Sequence, residues 1–306
     1  MTHGEWRRLR IGLLFVSPWI VGFLLFGLYP IGMAVYYAFC DYDILRSAVW
    51  VGALNYRDLW SDDVFHKALA NTLVYAVFSV PLSLVLALAV AVLLHRPIRG
   101  RALFRTLFYL PSILPLIAVG MIWMWVFNGR LGLVNHALLL VGLDGPDWLQ
   151  DPAWTRTTLI LTSTWQMGGA MVLFLAALQD VPHALHESAD LDGAGPVRRF
   201  LHITFPMVLP VVYFNLVIGL IAATQEFVKP FIIFGGGMGG AGPAAIGGPD
   251  RSVLLLAMYI YHSAFLSNRM GYACAMAMVL FVLVGILTWL VARTVGARVH
   301  YAGEGA

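Results

Sequence analysis

Charged residues are scarce in this sequence. Lys, Arg, Asp and Glu together make up 11% of the 306 residues, whereas 60% of the residues are hydrophobic. Soluble domains contain about a quarter charged and about half apolar residues, so this balance excludes an ordinary soluble domain. Disordered chains have few aromatic residues, and here Phe, Trp and Tyr make up 13%. The composition indicates a protein whose solvent is lipid.

Cysteines and phosphate-binding patterns are also nearly absent. The two cysteines, Cys40 and Cys274, are too few for a disulfide framework. No GxxxxGK(S/T) pattern is present, so we expect no ATP hydrolysis by this chain and no enzymatic activity. The glycine run at 235–240 contains GxGxxG but lacks a preceding strand, and we interpret it as an external loop. The net charge of +3 is too small to indicate nucleic-acid binding. We also expect this chain to bind neither a metal nor a cofactor.

Six stretches without a charged residue are long enough to cross a membrane. A charge at the centre of a bilayer costs about 2.5 kcal/mol or more, so charge-free windows mark membrane segments. Each window exceeds the ~20 residues that a helix needs to cross the hydrocarbon core. The sequence therefore predicts an all-α integral membrane protein with a transmembrane domain at 11–295. The six spans are predicted at about 11–38, 68–94, 106–128, 157–180, 206–234 and 270–293.

Basic residues are distributed unevenly between the connections. Four arginines fall within one short connection, at positions 96, 99, 101 and 105, and three more precede the first span. Cytoplasmic loops carry an excess of Lys and Arg. This distribution predicts that both termini are cytoplasmic, with residues 1–10 as the N-terminal segment and 296–306 as the tail.

One further apolar stretch, at 252–265, is short for a membrane span. We interpret it as an external, half-buried helix. The alternative is a seventh span, which would move the C-terminus to the outside. The stretch at 131–143 belongs to the other large external loop and has the same interpretation.

The connection at 182–205 differs from the other cytoplasmic connections because its pattern predicts two short helices that meet at a bend. Pro182 can begin the first helix, and Gly193 can adopt the left-handed conformation that ends it. Pro196 suits the first turn of the second helix. Such a bent pair fits a groove on a soluble partner. The alternative is a connector that lies on the lipid headgroups.

This connection resembles the EAA loop of binding-protein-dependent ABC importer permeases, usually written EAAxxDGA followed by ITLP. The matching residues are Glu187, Ser188, Ala189, Asp192, Gly193, Ala194, Ile203, Thr204 and Pro206, with Ser188 in place of an alanine and Phe205 in place of a leucine. The resemblance implies a coupling helix that lies in a cleft of a cytoplasmic ATPase subunit. Glu187 would face a basic group there, and Gly193 would form the turn.

Other short strings narrow the resemblance to the maltose- and glycerol-3-phosphate-type sugar permeases. These strings follow one another in the same order as in that family. They include Asn71-Thr72, Trp123, Tyr259-Ile260-Tyr261 and Arg298-Val299-His300-Tyr301. The resemblance implies a six-helix permease that forms half of a pathway for a sugar or sugar derivative in a bacterial or archaeal cytoplasmic membrane. It also implies a second, different permease chain, two ATPase subunits that bind ATP and Mg²⁺, and an extracytoplasmic solute-binding protein.

Two charged residues stand within the fifth predicted span, Glu226 and Lys229. Intramembrane charges are candidates for function unless they neutralise one another, and a spacing of three allows these two to pair on a helix. In the functional interpretation, Gln225 and Glu226 hydrogen-bond sugar hydroxyls beside the aromatic face of Phe227. Weaker candidates for the pathway are Trp165, Gln166 and Asn215.

Two other classes of function remain open from the residues alone. A proton-coupled secondary transporter would use Glu226 or Lys229 as its proton carrier, although no internal repeat is evident. A membrane scaffold without transport activity is the third class.

Overall fold

The computed structural model describes residues 3–234 and 246–298, and helices dominate it. The glycine run at 235–240 and the last residues, 299–306, lie outside the described residues. The chain divides into two compact units. The first unit comprises Met1–Asp62 and Ile260–Val279, and the second comprises Asp63–Tyr259 and Leu280–Ala306.

The first unit contains the N-terminal helices and a small hairpin. Asn55 holds them together, because its buried amide donates hydrogen bonds to the carbonyl oxygens of Ala38 and Cys40, at 3.0 and 2.9 Å. Gly271 donates its N–H to Tyr42, and a Cβ at Gly271 would lie 2.0 Å from the Cys40 carbonyl. The elements are α1 (His3–Phe23), a π-turn (Leu24–Leu28), α2 (Tyr29–Ala38), antiparallel β1 (Cys40–Asp41) and β2 (Val49–Trp50), α3 (Leu54–Trp60), a second π-turn (His262–Leu266) and the start of α15 (Met270–Thr294).

The second unit is a helical bundle around one long helix, α4 (Asp63–His95). Its core contains Ala87, Ala91, Phe174 and Val208, all with no exposed surface. The other helices are α5 (Arg101–Tyr109), α6 (Leu116–Val126), α7 (Leu133–Leu140), α8 (Pro152–Thr164), α9 (Gly168–Gln179), α10 (His183–Leu191), α11 (Pro196–Arg199), α12 (Phe205–Thr224), α13 (Val228–Phe234) and α14 (Leu256–Tyr261), which begins in this unit.

Four helices among the described residues are long and apolar enough to cross a membrane. They run over Trp6–Ala38, Asp63–His95, Pro196–Thr224 and Met270–Thr294. Two bent pairs raise the number to six if each pair is one span: Arg101–Ser112 with Leu116–Val126, and Pro152–Thr164 with Gly168–Gln179. The prediction of an all-α membrane protein is confirmed.

Two of the π-turns lie just before a proline. Pro30 follows the turn at Leu24–Leu28, and Pro206 follows the turn at Phe200–Thr204. A proline inside a helix lacks an N–H and pushes away the carbonyl four residues earlier. A π-turn accommodates that displaced carbonyl without ending the helix. Both prolines therefore lie in helices that continue.

The interpretation of 252–265 as one half-buried helix is wrong for its first part. Helix α14 begins only at Leu256, and residues 252–256 are each at most 3% exposed. The helical part, Leu256–Leu266, is shorter than a membrane span. The apolar run reflects burial within the protein, because the start of this segment packs against α4 and α8 of the same unit. The stretch at 131–143 contains α7, as expected.

Candidate functional site

The first candidate site is the helix that follows the fourth span. Pro182 caps the N-terminus of α10, and Gly193 ends the helix in the left-handed conformation, with φ of 69°. The N–H of Ala194 reaches the carbonyl of Ala189 at 2.9 Å, and the N–H of Gly193 reaches Asp190 at 3.1 Å. These two bonds form a Schellman motif, which satisfies carbonyls at the helix end.

The prediction of a second short helix is wrong. Helix α11 begins at Pro196 as expected, but it continues through the π-turn into α12, so that one helix runs over Pro196–Thr224. Pro206 could end a helix, but it does not do so here, because the π-turn before it accommodates the displaced carbonyl. Arg199 forms an ion pair with Asp190 of α10, and this pair fixes α10 to the start of the long helix.

The outer face of this loop combines charge with apolar surface. Glu187, Ser188 and Asp192 are exposed, whereas Ala189 is buried. Leu191 and Val197 are 91% and 70% exposed, although they lie beyond the predicted spans. A highly exposed apolar side chain such as Leu191, next to exposed acidic residues and beyond the predicted spans, is typical of a surface that another protein covers. This arrangement favours docking over a passive connector.

The second candidate site lies where spans of the second unit are broken. The third span bends by 98° between Ser112 and Leu116, and the fourth bends by 46° between Thr164 and Gly168. The two breaks meet, because Ser112 Oγ donates a hydrogen bond to the Gln166 carbonyl at 3.4 Å. Non-helical backbone at membrane depth is tolerated only inside protein or along a water-filled cavity. These breaks therefore mark a candidate pathway.

Trp165 lies in the second of these breaks, beside another tryptophan. Its ring meets Trp123 edge to face at 5.4 Å, and Trp123 stacks on Phe127 at 5.2 Å. The indole nitrogen of Trp123 is buried without a hydrogen-bond partner among the described residues. An aromatic cluster with an unused donor suits a polar ligand that also has an apolar face.

A third break separates α12 from α13, so the fifth predicted span is not one helix. Residues 225–227 are non-helical, and Glu226 lies within the break. The predicted pair forms nonetheless: Glu226 Oε2 lies 3.1 Å from Lys229 Nζ, and Oε1 accepts the Lys229 N–H at 3.3 Å. The two side chains are 15% and 7% exposed. The carboxylate therefore binds both the ammonium group and the backbone at the start of α13.

Tyr75 is a member of this site that the sequence analysis missed. It is 2% exposed and lies close enough to Lys229 for the two side chains to interact electrostatically. Lys229 of α13 thus pairs with Glu226 of the break and also lies near Tyr75 of α4. The sequence offered only a weak signal, a single tyrosine inside a charge-free span, and that signal is shared with many interfacial tyrosines.

The remaining predicted pathway residues have different surroundings. Gln225 is exposed at the end of α12, and Phe227 stacks on Phe231 at 5.0 Å. Asn215 lies inside α12, where its amide donates to the Val211 carbonyl of the same helix at 2.8 Å. The structure therefore supports Gln225 and Phe227 as members of the break and gives Asn215 a local role.

Asn71 and Thr72, near the start of the second span, form a buried polar clamp on the segment at 251–256. The Asn71 amide donates to the carbonyls of Arg251 and Leu254, at 3.0 and 3.1 Å, and Thr72 Oγ1 accepts the Leu256 N–H at 2.8 Å. These bonds satisfy the backbone of the buried segment at 252–256, which lacks helical partners there.

Replacing Asn71 by leucine is expected to destabilise the protein by about 1–3 kcal/mol, because a buried segment loses two donors while the side-chain volume is kept. Asn215→Leu is the matched control, since that amide bonds only locally, and its expected effect is below about 0.5 kcal/mol. Unfolding of both variants in detergent, followed by circular dichroism, measures the difference. Equal stabilities of the two variants would contradict the role of the clamp.

The chain is similar to known transport proteins over nearly its whole length. A family model described as binding-protein-dependent transport system inner membrane component matches residues 79–300. A probable ABC transporter permease protein, YesP of Bacillus subtilis, is 39% identical, covering 96% of this chain and 93% of that protein. The sulfoquinovosyl glycerol transport system permease SmoG of Agrobacterium fabrum is 32% identical, covering 94% and 91%.

The fold has a counterpart among solved structures. A bacterial ABC transporter involved in the import of alginate contains a chain that superposes with a TM-score of 0.78 at 24% identity, covering 96% of this chain and 99% of that one. The fold, the family match and the relatives agree. The chain therefore belongs to the binding-protein-dependent transport system inner membrane components, the multi-pass permease subunits of ABC importers.

Proposed function

We propose that this permease forms half of a translocation pathway for a sugar or sugar derivative, and that α10 couples the pathway to an ATPase. The observation that carries the proposal is the set of three broken spans in the second unit. Interrupted helices are typical of transporters, whose substrates bind where the backbone is unwound. The breaks hold the polar and aromatic residues Trp165, Gln166, Gln225, Glu226 and Phe227.

A carbohydrate suits this combination of side chains. Sugar hydroxyls need hydrogen-bonding groups, such as Gln225 and the free indole N–H of Trp123, and the apolar face of a sugar ring packs on aromatic rings. The relative SmoG is named for a sulfoquinovosyl glycerol, a sugar derivative. Both arguments support a carbohydrate cargo.

Coupling to ATP hydrolysis is assigned to the exposed face of α10. Glu187 would face a basic group of a cytoplasmic ATPase subunit, which binds the ATP and Mg²⁺, and Leu191 would supply apolar contact area. The full set of coupling residues is Glu187, Ser188, Ala189, Asp192, Gly193, Ala194 and Pro206. The Schellman motif and the Asp190–Arg199 pair would transmit movement of the ATPase to the long helix.

The assembly proposed for this chain contains two permeases and two ATPases. In the N-terminal span, an 18-residue apolar window has no buried residue, so its surface is available to lipid and to a second, different permease chain. An extracytoplasmic solute-binding protein would deliver the cargo. With both termini cytoplasmic, the Arg96–Arg105 connection and α10 lie on the ATPase side of the membrane.

Uptake into proteoliposomes tests the proposal. We expect the complex of this chain with its partner subunits to accumulate a sugar only with internal ATP and with the binding protein outside, and we expect the loaded binding protein to raise ATPase activity severalfold. A panel of amino acids offered to the same complex is the control for cargo class. Uptake that survives without ATP and stops when the proton gradient is collapsed would support proton-coupled secondary transport through Glu226 or Lys229 instead.

A further inference from the structure

Two neighbouring cavities of the second unit lie at the end of α4 and meet along the start of the long helix. The first has a volume of about 520 Å³ and the second about 560 Å³. They share Val92, Phe200 and Leu201 as lining residues. Both are open grooves on the surface of the bundle, so that one elongated molecule could occupy them together.

The first cavity is lined by basic side chains as well as apolar ones. His95, Arg96, His186 and Arg199 line it, and among the described residues no acidic side chain does. Arg199 is paired with Asp190, whereas Arg96 has no ion-pair partner among the described residues. The C-terminus of α4 adds a negative dipole end, which stabilises this cationic cluster but does not neutralise it. The cavity is therefore complementary to an anion.

Further positive charge surrounds this cavity. Arg101 and Arg105 of α5 lie close enough to His95 to act on its charge, and each has a buried Nε without a hydrogen-bond partner among the described residues. A bound anion would gain from this field even where it touches neither arginine.

The second cavity is lined by apolar side chains, and in the proposed orientation it extends from the cytoplasmic end of α4 toward the membrane. Val85, Ala89 and Leu93 of α4 line one side, and Phe205 lines the other. Leu93, Ala89 and Val85 precede the end of α4 by about half a turn to three turns. In the proposed orientation this range corresponds to the headgroup boundary and the acyl chains of the adjoining leaflet. An apolar groove that adjoins a basic cavity is complementary to a phospholipid. The acyl chain would lie in the groove and the headgroup in the basic cavity.

We propose that these cavities bind one anionic phospholipid of the cytoplasmic leaflet, with its phosphate beside Arg96 and Arg199 and one acyl chain along Ala89 and Phe205. Basic pockets between membrane helices on the cytoplasmic side are suited to such headgroups, because that leaflet is anionic. The lipid would join α4 to α10 and the long helix, since His186 and Arg199 belong to the proposed coupling loop. The inference rests on the proposed orientation of the chain.

Native mass spectrometry of the full chain, co-purified with its partner subunits in detergent, tests the proposal. Phosphatidylglycerol is expected to bind at least fivefold more tightly than phosphatidylcholine. Arg96→Gln should weaken the binding of phosphatidylglycerol about fivefold. Arg99→Gln removes a charge from the same connection but outside the cavities, and it should leave this binding unchanged. Ala89→Trp should fill the apolar groove and reduce binding similarly, with Leu86→Trp as its control on the same helix.

Each alternative to lipid binding predicts a different experimental result. Equal binding of the two lipids, or equal effects of Arg96→Gln and Arg99→Gln, would overturn the proposal. Inorganic phosphate that competes with phosphatidylglycerol while Ala89→Trp has no effect would indicate a free-anion site rather than a lipid site. A complex that carries Glu187→Lys separates this inference from the proposed function, because lipid binding should persist when coupling is lost.

Discussion

A chain that carries Glu187→Lys is expected to insert and fold normally but to lose at least 90% of ATP-driven uptake. Glu187 is exposed and has no ion pair within the described residues, so its reversal should leave the free energy of unfolding unchanged to within about 0.5 kcal/mol. In the proposed complex, the new lysine would face a basic group of the ATPase. Like charges placed together at an interface cost several kcal/mol, which is more than a tenfold loss of affinity.

Asp180→Lys is the matched control for this prediction. Asp180 is also an exposed acidic residue, and it lies seven positions earlier, between α9 and α10. Uptake, substrate-stimulated ATPase activity and co-purification of the ATPase subunit should all fall for Glu187→Lys and stay near normal for Asp180→Lys. Glu187→Gln should lie between the two, since it removes attraction without adding repulsion. Normal uptake by the Glu187→Lys complex would exclude the docking role.

Replacing Lys229 by methionine is expected to destabilise the protein by about 3–5 kcal/mol. The substitution leaves the Glu226 carboxylate nearly buried and without its cation, and an uncompensated buried charge is costly. The double substitution Glu226→Gln with Lys229→Met removes both charges and should recover most of that loss. Unfolding in detergent, measured for both single variants and the double variant, yields the coupling energy of the pair.

Transport by the double variant tests whether Glu226 and Lys229 also contact the cargo, separately from their contribution to stability. If Glu226 serves only Lys229, the double variant should transport at a rate near normal once it is folded. If Glu226 also hydrogen-bonds the cargo, the double variant should be stable but should show a higher KM. Full additivity of the two single substitutions would contradict the pairing itself.

Long helices were predictable from the sequence because the cost of a charge in lipid acts locally. The window at 68–94 contains no charge, and α4 spans it; the same holds for the last span and α15. The ends of α10 were also predictable, since Pro182 and Gly193 act through their own backbone preferences. These features depend on each residue and its near neighbours.

The break of the fourth span and the buried partners were not predictable, because tertiary contacts decide them; the bend of the third span, by contrast, has a local signal in Pro115. The fourth span contains no proline at its bend, and Gly168 there packs so closely that a Cβ would lie 2.5 Å from the Phe108 carbonyl. The run at 252–256 is apolar like a helix, yet its first residues are not helical, and the amide of Asn71 donates to the carbonyls of Leu254 and of the preceding Arg251. Tyr75 meets Lys229 across 154 positions of the chain, and such a pairing has no local signal.

In the proposed mechanism, the length of the continuous helix from Pro196 to Thr224 sets how far its end at the pathway can move. Its 29 residues correspond to ~43 Å at ~1.5 Å per residue, with the α10 contact at one end and the break at 225–227 at the other. A rigid rod of that length, tilted by about 10° about its α10 end, displaces its far end by ~7.5 Å. That displacement is comparable to the width of a sugar ring. A tilt of the whole helix would therefore be enough to open the proposed pathway, without local unfolding.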